Sequence, residues 1–240
     1  MRVPRLCRES SLTARGKDIL ARGGRGSPNC SFPHEEREGR HQITSLWGID
    51  MKYLVVDLEA TCSDDGSITA ENMEIIEIGA CWASPSGEVL QRFQQFVKPL
   101  VNPALTPFCR ALTGISQHDV DTAPLFATAA EKLFLFAEEH SDPQAVWMSW
   151  GAYDQKQLVR DSSLHQVKFP IAFPHQNAKK MFAKNQKIGK EVGMAKACEL
   201  AGFSLLGQHH RGLDDAVNIA RLLPFILGHS HLRKSKNPAI

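Results

Sequence analysis

The sequence predicts an α/β fold, a mixed five-stranded sheet flanked by helices, and three features of its 240 residues carry that expectation. Apolar, strand-like runs come three in succession after Met51. Segments of helical periodicity then alternate with further strand-like runs. Acidic residues stand at the carboxyl end of the first apolar run, where open α/β sheets gather their sites.

The elements follow in order. KYLVVDLEA, from Lys52, reads as a buried strand because its apolar run is nearly continuous. The loop CSDDGSITAEN follows, and EIIEIGACWAS is a second strand. EVLQRFQQFV, from Glu88 to Val97, is a third, joined to it through the turn SPSG. Pro99, Pro103 and Pro107 mark an irregular crossing, and a short helix near Phe108 to Thr113 leads to GISQHDV. Pro124, suited to a first turn, opens the amphipathic helix LFATAAEKLFLFAEEH. AVWMSW is a fourth strand, YDQKQLVRDSSL a helix, and residues near Phe169 a fifth, edge strand. Two or three helices close the domain, the last starting near Leu213.

Hydrophobic content of 42% and charged content of 22% are ordinary for a soluble globular chain. Apolar runs stay shorter than a bilayer span, so no membrane partner is expected. The net charge of +2 is uneven: residues 1–50 hold nine Lys/Arg and six Asp/Glu, leaving 19 of the 28 and 20 of the 26 to the rest. A nucleic-acid partner would therefore be held by a local patch and by metals, not by overall charge. Cysteines 7, 30, 62, 81, 109 and 198 form no CxxC pair, which argues against a zinc ribbon. With no secretory h-region, free thiols in a reducing, cytoplasmic setting are expected.

Residues 1–50 are rich in Gly, Ser, Pro and mixed charge with no sustained period, and read as disordered. Their arginines suggest a transit peptide, but Glu9, Asp18, Glu35 and Glu36 oppose it. Met51 stands directly before the first strand, so an over-extended reading frame is the other expectation. The folded domain is expected over 51–228, with a basic tail over 229–240.

Asp57 and Glu59 are two apart on a strand and so share one face, although an exposed strand end would look the same. Asp154 follows the fourth strand and opens a helix, where a capping role is the plain alternative. In HHRGLDDA, Gly212 frees the backbone and Asp214 and Asp215 fall in the first turn of the last helix. A histidine five residues before an aspartate can reach over a metal bound by it, and an imidazole with a pKa of about 6.5 suits a general base. Spacing alone leaves His209 as open as His210, and either could be a surface loop histidine. Gathered carboxylates repel one another unless cations neutralise them. Oxygen ligands suit Mg²⁺ or Mn²⁺ rather than zinc, and two such ions are the usual equipment for cutting phosphodiesters.

Together these pieces resemble the DEDDh 3′–5′ exonuclease family of the ribonuclease H-like fold. Its motifs are DxE on the first strand, an aspartate after the fourth, and H-x4-D before the last helix, all present in order across residues 57–215. DLEATC, MEIIEIGA, FCRALTGIS, SWGAYDQKQL and HRGLDDAVNIARL are similar to the Eri-type exoribonucleases and their short bacterial relatives. The resemblance implies that Asp57, Glu59, Asp154 and Asp215 bind two Mg²⁺ or Mn²⁺ ions and that His210, not His209, is the general base. It implies that Phe108 and Tyr153 sandwich the terminal base, with Ala60, Thr61 and His210 as further substrate contacts. The implied function is removal of nucleoside 5′-monophosphates from the 3′ end of single-stranded nucleic acid, RNA in preference to DNA. No recognisable nucleic-acid-binding domain precedes the nuclease, unlike the animal Eri-type enzymes. DNA trimming is one alternative. Another is a protein-interaction regulator of a signalling kinase pathway with a vestigial nuclease site.

Lys179, Lys180, Lys184, Lys187, Lys190 and Lys196 stand against Glu191 alone, as a phosphate track or as a solvated helix face. Trp82, Trp147 and Trp150 read as core, Trp150 being notable for its closeness to Asp154.

Overall fold

Five strands form one sheet in the order β3-β2-β1-β4-β5. The computed structural model describes residues 51–233, so the expectations for residues 1–50 and 234–240 lie outside the described residues. The strands are β1 (Tyr53–Ala60), β2 (Ile75–Ala83), β3 (Val89–Phe96), β4 (Val146–Ser149) and β5 (His175–Asn177). β1 pairs antiparallel with β2, and β2 with β3, while β4 runs parallel to β1 and β5 to β4. The sheet is therefore mixed, as three consecutive strands followed by helix-linked strands require. All nine residues of β2 are buried, whereas β3 is largely exposed or half-buried, consistent with its place at the edge.

Helices cover both faces of the sheet. Against one, α3 (Phe126–Glu139) packs Phe126, Ala129 and Leu133 onto Leu54, Val56, Leu58 and Trp82. On the other lie α5 (Ala178–Asn185), α6 (Met194–Leu200), α7 (Gly212–Arg221) and α8 (Leu223–Ile226), with Phe182, Ala216, Ile219 and Leu223 against Tyr53, Val55 and Met148. Gly79 of β2 lies so close to α7 that a Cβ there would fall 1.9 Å from the carbonyl carbon of Gly212. That near-contact of two glycine backbones fixes where α7 begins. Among the described residues, no helix is long and apolar enough to cross a membrane.

Four details differ from the sequence reading. The fifth strand forms at His175–Asn177, not near Phe169. Pro170 and Pro174 cannot donate to a ladder, and β5 starts directly after Pro174, whose carbonyl accepts from Trp147 N at 3.1 Å. Phe169 instead packs near Trp147, with ring centroids 6.3 Å apart. GISQHDV contains a short helix, α2 (Gln117–Asp121), set by a capping box between Ser116 and Asp119. Pro124 precedes α3, which starts at Phe126 after Leu125, and its carbonyl accepts from Lys98 N at 2.9 Å. Among the described residues four helices rather than two or three follow β5, because the one-turn α8 continues beyond α7.

Candidate active site

Three elements supply the acidic residues. Asp57 and Glu59 come from the carboxyl end of β1, whose pairing with β2 becomes irregular between Glu59 and Ala60. Asp154 is the second residue of α4 (Tyr153–Leu164), and its Oδ1 accepts from Leu58 N at 3.1 Å. The capping reading of Asp154 is thereby replaced. The residue at the cap position is Ala152, which makes no side-chain bond, and the Asp154 carboxylate ties α4 to β1. Asp215 lies in the first turn of α7. Its Oδ2 accepts from His209 Nδ1 at 2.9 Å and from His210 N at 3.0 Å, while Oδ1 is buried with no hydrogen-bond partner.

Carboxylate oxygens of Asp57, Glu59 and Asp215 all lie within 4.8 Å of one another. Burial, reinforced by Asp154, Glu59 and Asp215, lifts the Asp57 carboxyl well above the ordinary range. Burial and the neighbouring carboxylates, Asp215 foremost, push Glu59 up to about 8. Asp154 is pushed up to about 6 by burial against opposing backbone hydrogen bonds, and burial raises Asp215 despite its histidine partners. Such a set resists being fully ionised unless positive charge enters it. The donors are oxygen, the spacing brings three residues onto one point, and Asp215 Oδ1 is an orphaned acceptor. The residues present therefore fit hard divalent cations.

These groups form one side of a cleft of about 390 Å³. Ala60 and Thr61 continue its floor from β1, and Met73, Leu112, Trp150, Tyr153, Gly193 and Met194 make its walls. Thr61 is committed to Glu74, donating its N–H to the Glu74 carbonyl and accepting from Glu74 N through Oγ1. Tyr153 is half exposed and donates its hydroxyl to Met73 Sδ at 3.3 Å. Phe108 is exposed on α1 (Pro107–Thr113) and does not line the cleft, whereas Leu112, one turn further along that helix, does. Asp57, Glu59, Ala60, Thr61, Tyr153, Asp154, His210 and Asp215 are thus brought together, and Phe108 is not. A second cavity of about 310 Å³, between α3 and residues 167–170, is mainly apolar and holds only Glu131 and Lys168 as charged lining.

The two histidines differ in what they hold. Their rings stack with centroids 4.0 Å apart, and His210 sits in the left-handed region at φ 65°. Burial first, then the His209 charge, lowers the His210 pKa from its ordinary value.

Sequence reasoning missed the residues that brace the cleft. Glu77, the third residue of β2, is fully buried and accepts from Arg211 and Gly212. Glu74 accepts from the backbone N–H groups of Leu100, Val101 and Asn102, which anchors the proline-rich crossing. The signal was available as acids interrupting the apolar run EIIEIGACWA. Trp150 is half-buried on the cleft wall and donates from Nε1 to the Val192 carbonyl at 3.0 Å, beside Gly193 and Met194. Lys180 and Lys184 are exposed on α5, and Lys187 and Lys190 on the segment that follows it.

Residues 54–223 match the family model RNase_T, described as Exonuclease. The 3′-5′ exonuclease eri1 of Schizosaccharomyces pombe is 28% identical over 197 residues, covering 71% of this chain and 66% of that protein. The probable 3′-5′ exonuclease KapD of Bacillus subtilis is 30% identical over 190 residues, 78% of this chain and 90% of that protein. A solved nuclease domain of 3′hExo, a DEDDh family member bound to rAMP, superposes with a TM-score of 0.67 at 28% identity, covering 78% of this chain and 96% of that one. Against the human 3′-5′ exoribonuclease 1 the chain spans half the length, 50% of that protein at 30% identity. Because the family match runs through β1, α4 and α7, which carry the acidic residues, and DEDDh exonucleases typically use divalent metal ions, fold and site agree that the chain belongs to the DEDDh exonuclease family.

Proposed function

We propose that this domain removes nucleoside 5′-monophosphates from the 3′ end of single-stranded RNA, using two Mg²⁺ or Mn²⁺ ions held by Asp57, Glu59, Asp154 and Asp215. The observation that carries the reading is the convergence of three carboxylates within 4.8 Å, with Asp215 Oδ1 orphaned, beside a cleft walled by Tyr153. Divalent ions held by these carboxylates would supply charge neutralisation, acidity at the attacking water and stabilisation of the leaving 3′ oxygen. His210 takes the proton of that water at a ring nitrogen. Its lowered pKa keeps the ring neutral, and therefore basic, near pH 7. Tyr153 stacks on the terminal base, and Ala60 and Thr61 hold the last nucleotide against the end of β1. A slot of this kind accepts a free end and not an internal bond.

Preference for RNA over DNA is supported by relatives named exoribonucleases and by a neighbour at TM-score 0.69 and 28% identity, described as a 3′-exonuclease in 3′-end specific recognition of a histone mRNA stem-loop. Free Cys62, Cys81, Cys109 and Cys198 suit a reducing compartment, which favours the cytoplasm. The relatives compared above are named as exonucleases, and Asp57, Glu59, Asp154, His210 and Asp215 all line one cleft, which favours a working nuclease site over a kinase-pathway regulator with a vestigial one. The test is an assay of 5′-labelled single-stranded RNA and DNA with Mg²⁺, Mn²⁺ or EDTA. A metal-dependent ladder, faster on RNA, is expected, and survival of both polymers with either metal would overturn the proposal.

A further inference from the structure

Glu77 is a carboxylate at the third position of a wholly buried strand, with none of its surface exposed. A buried charge is tolerated only where it is paired and hydrogen-bonded. Glu77 meets that condition with three donors. Its Oε2 accepts from Arg211 Nε at 3.1 Å and from Gly212 N at 3.1 Å, and its Oε1 accepts from Gln94 Nε2 at 2.5 Å. Gly212 is the first residue of α7, whose cap position, Arg211, makes no side-chain capping bond. A carboxylate from the neighbouring strand thus satisfies an N–H group that the helix itself leaves open. The Arg211 guanidinium also lies over the Phe96 ring, 5.3 Å from its centroid.

The histidine loop is therefore clamped from two sides. Asp215 Oδ2 holds the His209 ring and the His210 amide, and Glu77 holds the next two residues, Arg211 and Gly212. Between the clamps His210 keeps φ 65°, a conformation that a non-glycine residue retains only when its surroundings impose it. We propose that Glu77 is a positioning residue for the exonuclease reaction, fixing the Arg211–Gly212 junction so that His210 and Asp215 face the cleft in register. The role rests on the function proposed above, because it concerns the geometry in which His210 receives a proton.

Glu77→Leu and Glu77→Gln test it, assayed below their melting temperatures. Glu77→Leu is expected to lower kcat on the order of 10²-fold, the scale of an ångström's misplacement, with KM within about twofold. Glu77→Gln, which can still accept from Gly212 N, should recover much of that loss. Adding Arg211→Leu to Glu77→Leu should cost little more, because the pair acts as a unit. A purely structural Glu77 would lower the melting temperature and leave kcat unchanged, and that result would overturn the proposal. Should Glu77→Leu fail to fold, the Gln variant decides: its kcat is expected to fall in part, because the Arg211 pair loses its charge while Gly212 N keeps an acceptor, and its His209 and His210 imidazole resonances to shift with it. Both readouts remaining as in the parent protein would equally overturn it. The resonances, with Gly212 amide exchange, also separate the two ideas. A parent protein without exonuclease activity would sink the function, while imidazole and amide signals that respond to Glu77→Gln would still uphold the clamp.

Discussion

His209 and His210 reach the same oxygen of Asp215 with different atoms, His209 through ring Nδ1 at 2.9 Å and His210 through its backbone N–H at 3.0 Å. Both rings line the cleft, the His209 ring committed to the carboxylate and the His210 ring stacked on its neighbour. Two adjacent histidines thus differ in what they contact, with the backbone turn at His210 between the two contacts.

His210→Ala is accordingly expected to lower turnover by roughly two to four orders of magnitude, the range for losing a general base. His209→Ala should do much less, since Asp215 keeps the His210 amide. Single-turnover rates of both variants check this, and a larger loss in the His209 variant would show that the register of the third motif is misread.

Metal addition should raise the melting temperature, because ions that bind the folded acidic cluster and not the unfolded chain stabilise it by mass action. Asp57→Asn should remove most of the gain, Asp57 being one of the three convergent carboxylates. Thermal scans across millimolar Mn²⁺ provide the measurement. A curve indifferent to Mn²⁺ in the parent protein would rule out the proposed ions.

Without metal, stability should fall as pH rises. Glu59 is raised from 4.5 to about 8, and Asp154 from 3.8 to about 6. A carboxyl raised in the folded state contributes stability that is full below its unfolded pKa and is lost as pH climbs through the folded one. The window is therefore from about 4 to about 8, set by these two groups. The lowered His210 acts in the opposite sense, costing stability as pH falls through its ordinary value. Melting in EDTA should decline from mildly acid to mildly alkaline pH, and saturating Mn²⁺ should flatten or reverse the trend. A rise with pH in EDTA would mean that the carboxylates are not mutually strained.

A chain beginning at Met51 should keep its fold and specific activity, because residues 1–50 carry no sustained apolar period that could add to a core. Soluble yield and rate per mole of the shortened chain measure this. Loss of either would show that residues 1–50 contribute.

What could be read from the chain was what local pattern controls. β1, β2 and α4 announce themselves by apolar runs and helical spacing, and the strand alternation alone puts Asp57 and Glu59 on one face. What could not be read depends on partners distant in sequence. Asp154 looks like a helix cap until Leu58 N, 96 residues away, is seen bonded to it. Glu77 lies 134 residues from Arg211, and only the antiparallel pairing beside β1 and the Gly79–Gly212 approach bring them together. That Leu112 lines the cleft while Phe108, one helical turn earlier, stands outside its lining is a placement that sequence pattern alone does not give.

The base slot is the last test, and it joins affinity to polarity. Tyr153 is half exposed beside the carboxylates, free to stack once its hydroxyl releases Met73. Base–aromatic stacking contributes about 1–3 kcal/mol per base, so Tyr153→Ala should raise KM roughly five- to 150-fold and harm kcat less. Phe108→Ala and Leu112→Ala then ask which side chain of α1 covers the opposite face: Leu112 lines the cleft as it stands, and Phe108 would have to swing in when nucleic acid binds. A KM rise confined to the Leu112 variant would remove Phe108 from the slot. Whichever it is, a slot closed on both faces admits an unpaired terminus. A 5′-labelled strand should therefore shorten from its 3′ end one nucleotide at a time, and a circular strand should survive. Cleavage of the circle would mean internal cutting, and the slot and the polarity would both have to be abandoned.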